Sequence, residues 1–391
     1  MNLRDKYAIV GIGQSRVGEL PGSTSLGLLA EAMRNAIEDA GLSKADVDGL
    51  ISRGPDDIYC HHQRMGETLG LNVSYSTSLD NGGASQCLQV ILACMAIESG
   101  LCQTVVCGYG RNAWSRTRQA AESRKGSAQQ HAGAEEQLPK EFGPEFGYFG
   151  AVATHAFGAQ RHMHLYGTTK EQMGAVAVSF RKHALRTPWA QMRGKTLTME
   201  DYLAGRPIVS PFNVYDCSLR TDAAGAVVVT SAERAKSLKQ PPVYISGFGS
   251  HNNLRGWFFD NYMVNTAARA SGQTAFHMAG ISPKEVDTAQ LYDCFTYMVL
   301  AELEDYGFCA KGEGGPFAAS GALDLEGALP TNTAGGQLSE GHVEGMLQVL
   351  EAVRQLRQGE PPGRQVPGAE VALVSGHGGN AVCHTTLILR R

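Results

Sequence analysis

The sequence carries one nine-residue pattern twice. Ala40-Gly41-Leu42-Ser43-Lys44-Ala45-Asp46-Val47-Asp48 is echoed by Ala279-Gly280-Ile281-Ser282-Pro283-Lys284-Glu285-Val286-Asp287. Each copy follows a segment of helical apolar spacing and leads into a strand-like run. A second echo keeps the same order, pairing Val105-Val106-Cys107-Gly108-Tyr109-Gly110 with Leu373-Val374-Ser375-Gly376-His377-Gly378. Two matches in the same order predict two related halves, which we place at 1–240 and 241–391. Each half opens on an apolar strand, Tyr7 to Gly11 and Val243 to Gly247, and continues into an amphipathic helix, Ser25 to Ala40 and Asn265 to Ala279. Strand and helix alternate, which reads as a layered α/β fold. Near-continuous apolar runs at Ala224 to Val229 and Val371 to Val374 suit strands buried on both faces, with sheets covered by helices.

Composition narrows the function classes. The 391 residues are 43% hydrophobic and 18% charged, which is globular. Lys+Arg 34 against Asp+Glu 38 gives a net charge of -4, without the basic footprint of a nucleic-acid binder. The N-terminus lacks the long apolar core of a signal peptide, and no stretch approaches the roughly 18 apolar residues that span a bilayer. A cytoplasmic protein with no membrane partner is expected. The nine cysteines are odd in number and contain no Cys-x-x-Cys pair, so reduced thiols are expected, with neither a disulfide framework nor a metal site.

A region of about 111–215 has no counterpart in the second half and reads as an insertion in the first. Its polar part, Arg111 to Pro144, suits a binding surface, a lid or a plain surface loop. The aromatic-rich stretches Phe142 to Phe149 and Trp257-Phe258-Phe259 suit a channel wall or a dimer interface.

Four places can carry chemistry. Asn81-Gly82-Gly83-Ala84-Ser85-Gln86 opens a helix running Cys87 to Glu98, and amides at such a start can hold an oxyanion or simply cap. Leu291-Tyr292-Asp293-Cys294-Phe295 ends an apolar strand on a Tyr-Asp pair, an acid/base device or ordinary strand-end packing. Asn332-Thr333-Ala334-Gly335-Gly336-Gln337-Leu338-Ser339-Glu340-Gly341-His342 is a Gly-rich loop delivering His342 to a helix over Val343 to Leu356. Gly376-His377-Gly378-Gly379 is a tight turn offering amide donors and a second imidazole, His377.

Taken together, these motifs and the duplicated halves resemble the thiolase superfamily, in particular the sterol-carrier-protein-type thiolases and the thiolase-like lipid-transfer proteins. The resemblance implies a five-layered αβαβα sandwich with an inserted loop domain over the substrate channel, a homodimer, and acyl-coenzyme A substrates. Coenzyme A enters as part of the substrate, and no covalently bound cofactor is implied. Against the family pattern, the position of the nucleophilic cysteine holds Gly83, and the second cysteine of the family's Cys-x-Gly turn aligns near Gly376. Cys87 lies one turn into the helix, at core spacing with Val90, Ile91 and Cys94. The family's His-Asp-Cys-Phe is Tyr292-Asp293-Cys294-Phe295 here. His342 survives, followed by Val343 where the family has proline.

This pattern resembles the thiolase-like aldolases of steroid side-chain degradation. It implies retro-aldol cleavage of a 3-hydroxyacyl-CoA, in which the C2–C3 bond breaks and the thioester leaves as an enolate. Tyr292 then takes or relays the hydroxyl proton, His342 holds the enolate oxygen with help from amides near Gly83 or Gly378, and Asp293 orients the network or caps the next helix. The resemblance also implies a small companion bearing a zinc ribbon and an OB-fold, in a heterotetramer. Two other readings stand beside it: a thiolase or acyltransferase using a relocated thiol of Cys87, Cys294 or Cys383, and a non-catalytic acyl-CoA or lipid-binding subunit.

Overall fold

A computed structural model describes residues 3–54, 58–123, 150–253, 264–379 and 381–391. The strands of the main sheet are β1 (Tyr7–Gln14), β2 (Gly49–Arg53), β3 (Tyr75–Ser78) and β4 (Thr104–Asn112). After a small hairpin of β5 (Pro207–Val209) and β6 (Phe212–Asn213) come β7 (Asp222–Ser231), β8 (Val243–Asn252), β9 (Thr288–Gln290), β10 (Val371–Gly378) and β11 (Cys383–Arg390). Their order is β3-β2-β4-β7-β1-β8-β11-β10-β9, five strands from the first half and four from the second. The halves join edge to edge where Ala8 and Ile9 of β1 face Tyr244 and Val243 of β8. β3-β2-β4 and β9-β10 run parallel and the other neighbours antiparallel. A bridge between Ala289 and Thr331 extends the second half beyond β9, where β3 sits in the first.

The duplicated segments do the same work twice. Gly41 and Gly280 end their helices in the left-handed region, at φ 73° and 65°. The backbone N–H of Ser43 donates to Asp46, and that of Ser282 to Glu285, each at 2.8 Å, so the echoed serines close equivalent capping boxes. The last residue of each copy then pins the next long strand. Asp48 accepts from the N–H groups of Gln103 and Thr104 at the start of β4, and Asp287 from those of Glu370 and Val371 at the start of β10.

Alternation along the strands sorts the apolar side chains into three separate layers. Ala8, Val10, Val106 and Val228 pack outward onto the helix Ser25–Asp39 through Leu29, Ala32, Met33 and Ala36. Val371, Leu373 and Ile388 pack outward onto the helices Ala268–Ala279 and Thr296–Asp305. The alternate residues, Ile9, Val105, Val227, Ala372, Val374 and Leu387, face inward onto the helices Ser85–Glu98 and Met346–Arg357. The helix Ser85–Glu98 is apolar nearly all round, whereas Met346–Arg357 buries Gln348, Glu351 and Gln355, each with a hydrogen-bond partner. The result is the expected αβαβα layering, with the two strand layers continuous at one edge.

Glycines let the outer helices dock closely. A Cβ on Gly13 would stand 2.2 Å from the Ala32 carbonyl oxygen, and one on Gly249 would stand 2.0 Å from that of Ser271. These are equivalent contacts in the two halves.

The polar segment expected from Arg111 to Pro144 begins inside the sheet. Arg111 is still inside β4, a helix Ala113–Ser123 follows, and the remainder of Arg111 to Pro144 lies outside the described residues, as do Phe142 to Phe149 and Trp257-Phe258-Phe259. Helices Gly150–Tyr166 and Lys170–Arg186 pack onto helices of the second half, sharing its outer core through Met173, Val176 and Phe180. Among the described residues, no helix is long and apolar enough to cross a membrane.

We expect Gly249→Ala to lower stability by about 1–3 kcal/mol, because the helix must move away from the strand. Gly359→Ala, at a site with nothing within 4 Å of the added carbon, serves as the control. Thermal denaturation of the two variants checks this.

Candidate active site

The loops that start the two inner helices meet. Residues 81–84 of the first half lie against the end of β10 in the second, backbone to backbone. A Cβ on Gly378 would fall 1.9 Å from the Asn81 carbonyl oxygen, and one on Gly376 2.7 Å from that of Gly83. Gly376-His377-Gly378 is therefore not the turn its composition suggests: it stays in β10, opposite Cys383–Thr385 of β11. Its glycines serve close approach of the two halves.

Tyr292 occupies the centre of this junction. A Cβ on Gly83 would sit 2.1 Å from the Tyr292 hydroxyl oxygen and ring carbon Cζ, so the phenol fills the space a side chain at position 83 would need. The Tyr292 backbone is held on both sides. Asn332, at φ 49°, clamps Leu291: its Oδ1 accepts from the Leu291 N–H at 2.7 Å and its Nδ2 donates to the Leu291 carbonyl at 2.9 Å. The Tyr292 N–H donates to Ser375 Oγ at 2.9 Å.

Asp293 points away from this pocket. Its carboxylate accepts from the N–H groups of Gln337 and Leu338 and from Gln348 Nε2, at 2.9, 3.1 and 2.9 Å. It thus caps the short helix Gly336–Ser339, not the helix Thr296–Asp305 that follows it in sequence, and holds the Gly-rich loop in place. Burial raises its carboxyl to about 7.

His342 lies in the loop before the helix Met346–Arg357, which starts three residues later than its apolar pattern suggests. Its Nε2 is 3.4 Å from Arg111 Nη1 and its Nδ1 3.2 Å from Ser218 Oγ. A guanidinium only donates, so Nε2 accepts and the ring proton belongs on Nδ1, facing Ser218. Burial, with Arg111 acting in the same direction, lowers the imidazole to about 3, so the ring is neutral at neutral pH.

The structure adds a charged group that the motifs do not announce. Glu344 pairs with Arg53 and, at 3.5 Å, with Arg111, and accepts from the Tyr109 hydroxyl at 3.1 Å. Burial alone would raise this carboxyl, but Arg53 and Arg111 hold it below its usual value. The Tyr292 phenol is pushed well above its usual range by burial and then by Glu344, while Arg111 and Arg53 oppose the shift. Arg53 and Arg111 look like ordinary strand-end cations in the sequence. The one local sign is the Gly-His-Val-Glu-Gly spacing, which brings Glu344 out on the same loop as His342.

His377 lies against Tyr292, with ring centroids 4.5 Å apart, and against Cys294, whose Sγ is 3.3 Å from Nε2. Burial lowers His377 well below its usual value. The thiols named for a relocated nucleophile stand apart from one another, with Cys294 beside His377 as above. Cys87 faces the inner core and is pushed by burial up to about 12, and the Cys383 thiol donates to the Asn81 carbonyl at 3.4 Å.

Comparison with known proteins accords with this geometry. Residues 256–391 match the family model described as Thiolase C-terminal domain-like. The chain is 36% identical over 360 residues to a steroid side-chain-cleaving aldolase of Thermomonospora curvata, covering 90% of each chain. It is 37% identical over 366 residues to the 17-hydroxy-3-oxo-4-pregnene-20-carboxyl-CoA lyase of Mycobacterium tuberculosis, covering 91% of this chain and 92% of that one. The chain belongs to the thiolase superfamily. Among solved structures, this thiolase-superfamily chain superimposes on an Ltp2-ChsH2(DUF35) aldolase with a TM-score of 0.88 at 33% identity, covering 99% and 98% of the two chains. Human mitochondrial 3-ketoacyl-CoA thiolase shares the fold, with a TM-score of 0.73 at 16% identity.

His183 supports the clamp from behind. It is buried with Nδ1 3.1 Å from the Asn332 carbonyl, and burial lowers it from 6.5 to about 4, against the opposing Asn332 carbonyl and Asp324. A histidine depressed in the folded state contributes stability that is complete above its unfolded value and lost as pH falls toward the folded one. We expect the stability of wild type relative to His183→Gln to fall between pH 7 and pH 5 by up to about 2 kcal/mol. Denaturant unfolding of the pair at both pH values checks this.

A second expectation concerns position 83. Gly83→Ala should displace the Tyr292 ring and lower kcat by at least about tenfold, while a melt shows the protein folded.

Proposed function

We propose that this chain is a carbon–carbon lyase that cleaves a 3-hydroxyacyl-CoA by a retro-aldol reaction. The observation that carries the reading is the replacement at position 83: where the family places its thiol, this chain has no side chain, and the Tyr292 phenol stands in the space. A claisenase without its nucleophile keeps a site suited to an enolate, and a β-hydroxy thioester yields one without a covalent intermediate. Names of the relatives point the same way, since a 17-hydroxy-20-carboxyl-CoA carries its hydroxyl on the carbon β to the thioester carbonyl.

In this reading Tyr292 accepts the C3 hydroxyl proton as its own moves toward the ionised Glu344, the C2–C3 bond breaks, and C3 becomes a ketone or aldehyde. The electron pair passes to the thioester as an enolate. His342 holds the enolate oxygen through its Nδ1–H, which exchanges its Ser218 partner for the substrate. Because its ring is neutral, Arg111 beside it supplies the positive charge. The proton held on Glu344 returns through Tyr292 to C2, which releases the shortened acyl-CoA and restores both groups. His377 packs the Tyr292 ring and Asp293 positions the loop. Coenzyme A is part of the substrate, and the acyl group we favour is a steroid side chain. The Ltp2-ChsH2(DUF35) aldolase is named for two components, which supports a companion subunit here; its OB-fold and zinc ribbon, and a homodimer of this chain, come from the family resemblance.

The test is incubation of the purified chain, with and without such a companion, with 3-hydroxyacyl-CoAs and 3-oxoacyl-CoAs, with and without free coenzyme A. Mass spectrometry reads the products. Cleavage of the hydroxy substrates without free coenzyme A is expected, with Tyr292→Phe and His342→Ala each lowering kcat by about 10²–10⁴-fold. Cleavage of oxoacyl substrates alone, and only with free coenzyme A, would overturn the reading.

A further inference from the structure

Three side chains distant in sequence converge beside Tyr292. His155 comes from the inserted helix Gly150–Tyr166, Cys294 from the loop after β9, and His377 from β10. One ligand-capable atom from each, two imidazole nitrogens and one thiol sulfur, lies within 4.8 Å of the other two. We propose that His155, Cys294 and His377 form a binding site for a zinc-class divalent cation.

Three observations carry this. The first is spacing. A tetrahedral ion with Zn–S near 2.3 Å and Zn–N near 2.0–2.1 Å sets its sulfur and nitrogen ligands about 3.5 Å apart. Cys294 Sγ is 3.3 Å from His377 Nε2 and 3.9 Å from His155 Nε2, values on either side of that separation. The two rings have centroids 5.5 Å apart and flank the sulfur.

The second is orientation. His155 donates its Nδ1–H to the Ala151 carbonyl at 2.7 Å, which leaves Nε2 with a free lone pair on the side of Cys294. A backbone carbonyl behind one nitrogen is the usual support for a histidine that ligates through the other. The third is unmet polarity next to the cluster. His377 Nδ1 and both ring nitrogens of His384 are buried without a hydrogen-bond partner among the described residues, and the His384 ring stacks on His377 at 5.2 Å. Leaving a buried polar group unpaired costs on the order of 1–3 kcal/mol. These nitrogens mark a polar niche beside the sulfur that the described residues leave unfilled.

The donor set chooses the ion. Two imidazoles and a thiolate are borderline-soft, which suits zinc or cobalt and does not suit magnesium or calcium, whose ligands are oxygens. On binding, the Cys294 thiol gives its proton to the buffer and the sulfur becomes the anionic ligand. Three protein ligands leave one position for water, the arrangement of an open zinc site. His155, Cys294 and His377 keep 5, 8 and 3% of their surface accessible, so the cluster is buried but not sealed.

The test uses the full chain purified without a companion, so that no other subunit contributes zinc. After dialysis against chelator and then against zinc, an equimolar amount of zinc should remain, and cobalt in its place should give a thiolate-to-cobalt charge-transfer band in the near ultraviolet. Cys294→Ser should lose the band and Cys383→Ser should keep it. Should Cys294→Ser fail to fold, wild type alone still decides: bound zinc should slow alkylation of Cys294, located by peptide mass spectrometry. The proposal is overturned by negligible retained metal in wild type, by a cobalt band that survives in folded Cys294→Ser, or by alkylation of Cys294 indifferent to zinc. None of these readouts depends on catalytic turnover.

Discussion

Burial of two helices between two layers of strands decides where the chemistry can be. Ser85–Glu98 and Met346–Arg357 are covered on both sides by strands from both halves, so neither can shift without opening the inner core. The loops that lead into them, 81–84 and 341–345, are consequently fixed against each other and against the end of β10. Gly83, Tyr292, His342 and His377 come from four distant segments, and this shared layer makes them neighbours.

Inside that frame, one missing carbon sets the character of the site. Position 83 has no side chain, and the Tyr292 phenol fills the gap. The phenol is buried, and burial keeps it protonated. Its surroundings are strongly charged all the same, because Glu344 is balanced by Arg53 and Arg111. Such a pocket can move a proton and hold a developing negative charge without reorganising solvent, which enolate chemistry requires and covalent catalysis by a buried thiol such as Cys87 would not obtain here.

The polar residues around the site divide into those that face it and those that hold it. Asn332 and Asp293 belong to the second group: the amide of one pairs with the Leu291 backbone, and the carboxylate of the other takes the free N–H groups of the helix Gly336–Ser339. Their conspicuous place in the motifs reflects the need to fix the backbone on either side of Tyr292. His342 and Tyr292 instead meet the charged cluster of Arg111 and Glu344.

Much of the frame is legible in the sequence, because it rests on local rules. Apolar alternation, helical spacing, and the Gly-Leu-Ser/Gly-Ile-Ser caps depend on residues a few positions apart, and their repetition reveals the duplication. Gly83 at the expected thiol position and His342 in its loop are readable only through the family resemblance of their motifs. Less is readable where contacts are long-range. Gly376 to Gly378 look like a turn, since composition cannot show that another backbone lies against them. Arg53 and Arg111 are 58 positions apart and meet only through Glu344, while His155, Cys294 and His377 share no spacing at all. The sequence alone determines the layered α/β halves, and it sets a glycine where the family resemblance expects a thiol. Only the tertiary structure decides which side chain fills the vacated space, which charges surround it and which nitrogen and sulfur atoms meet, because those depend on how two separately patterned halves close on each other.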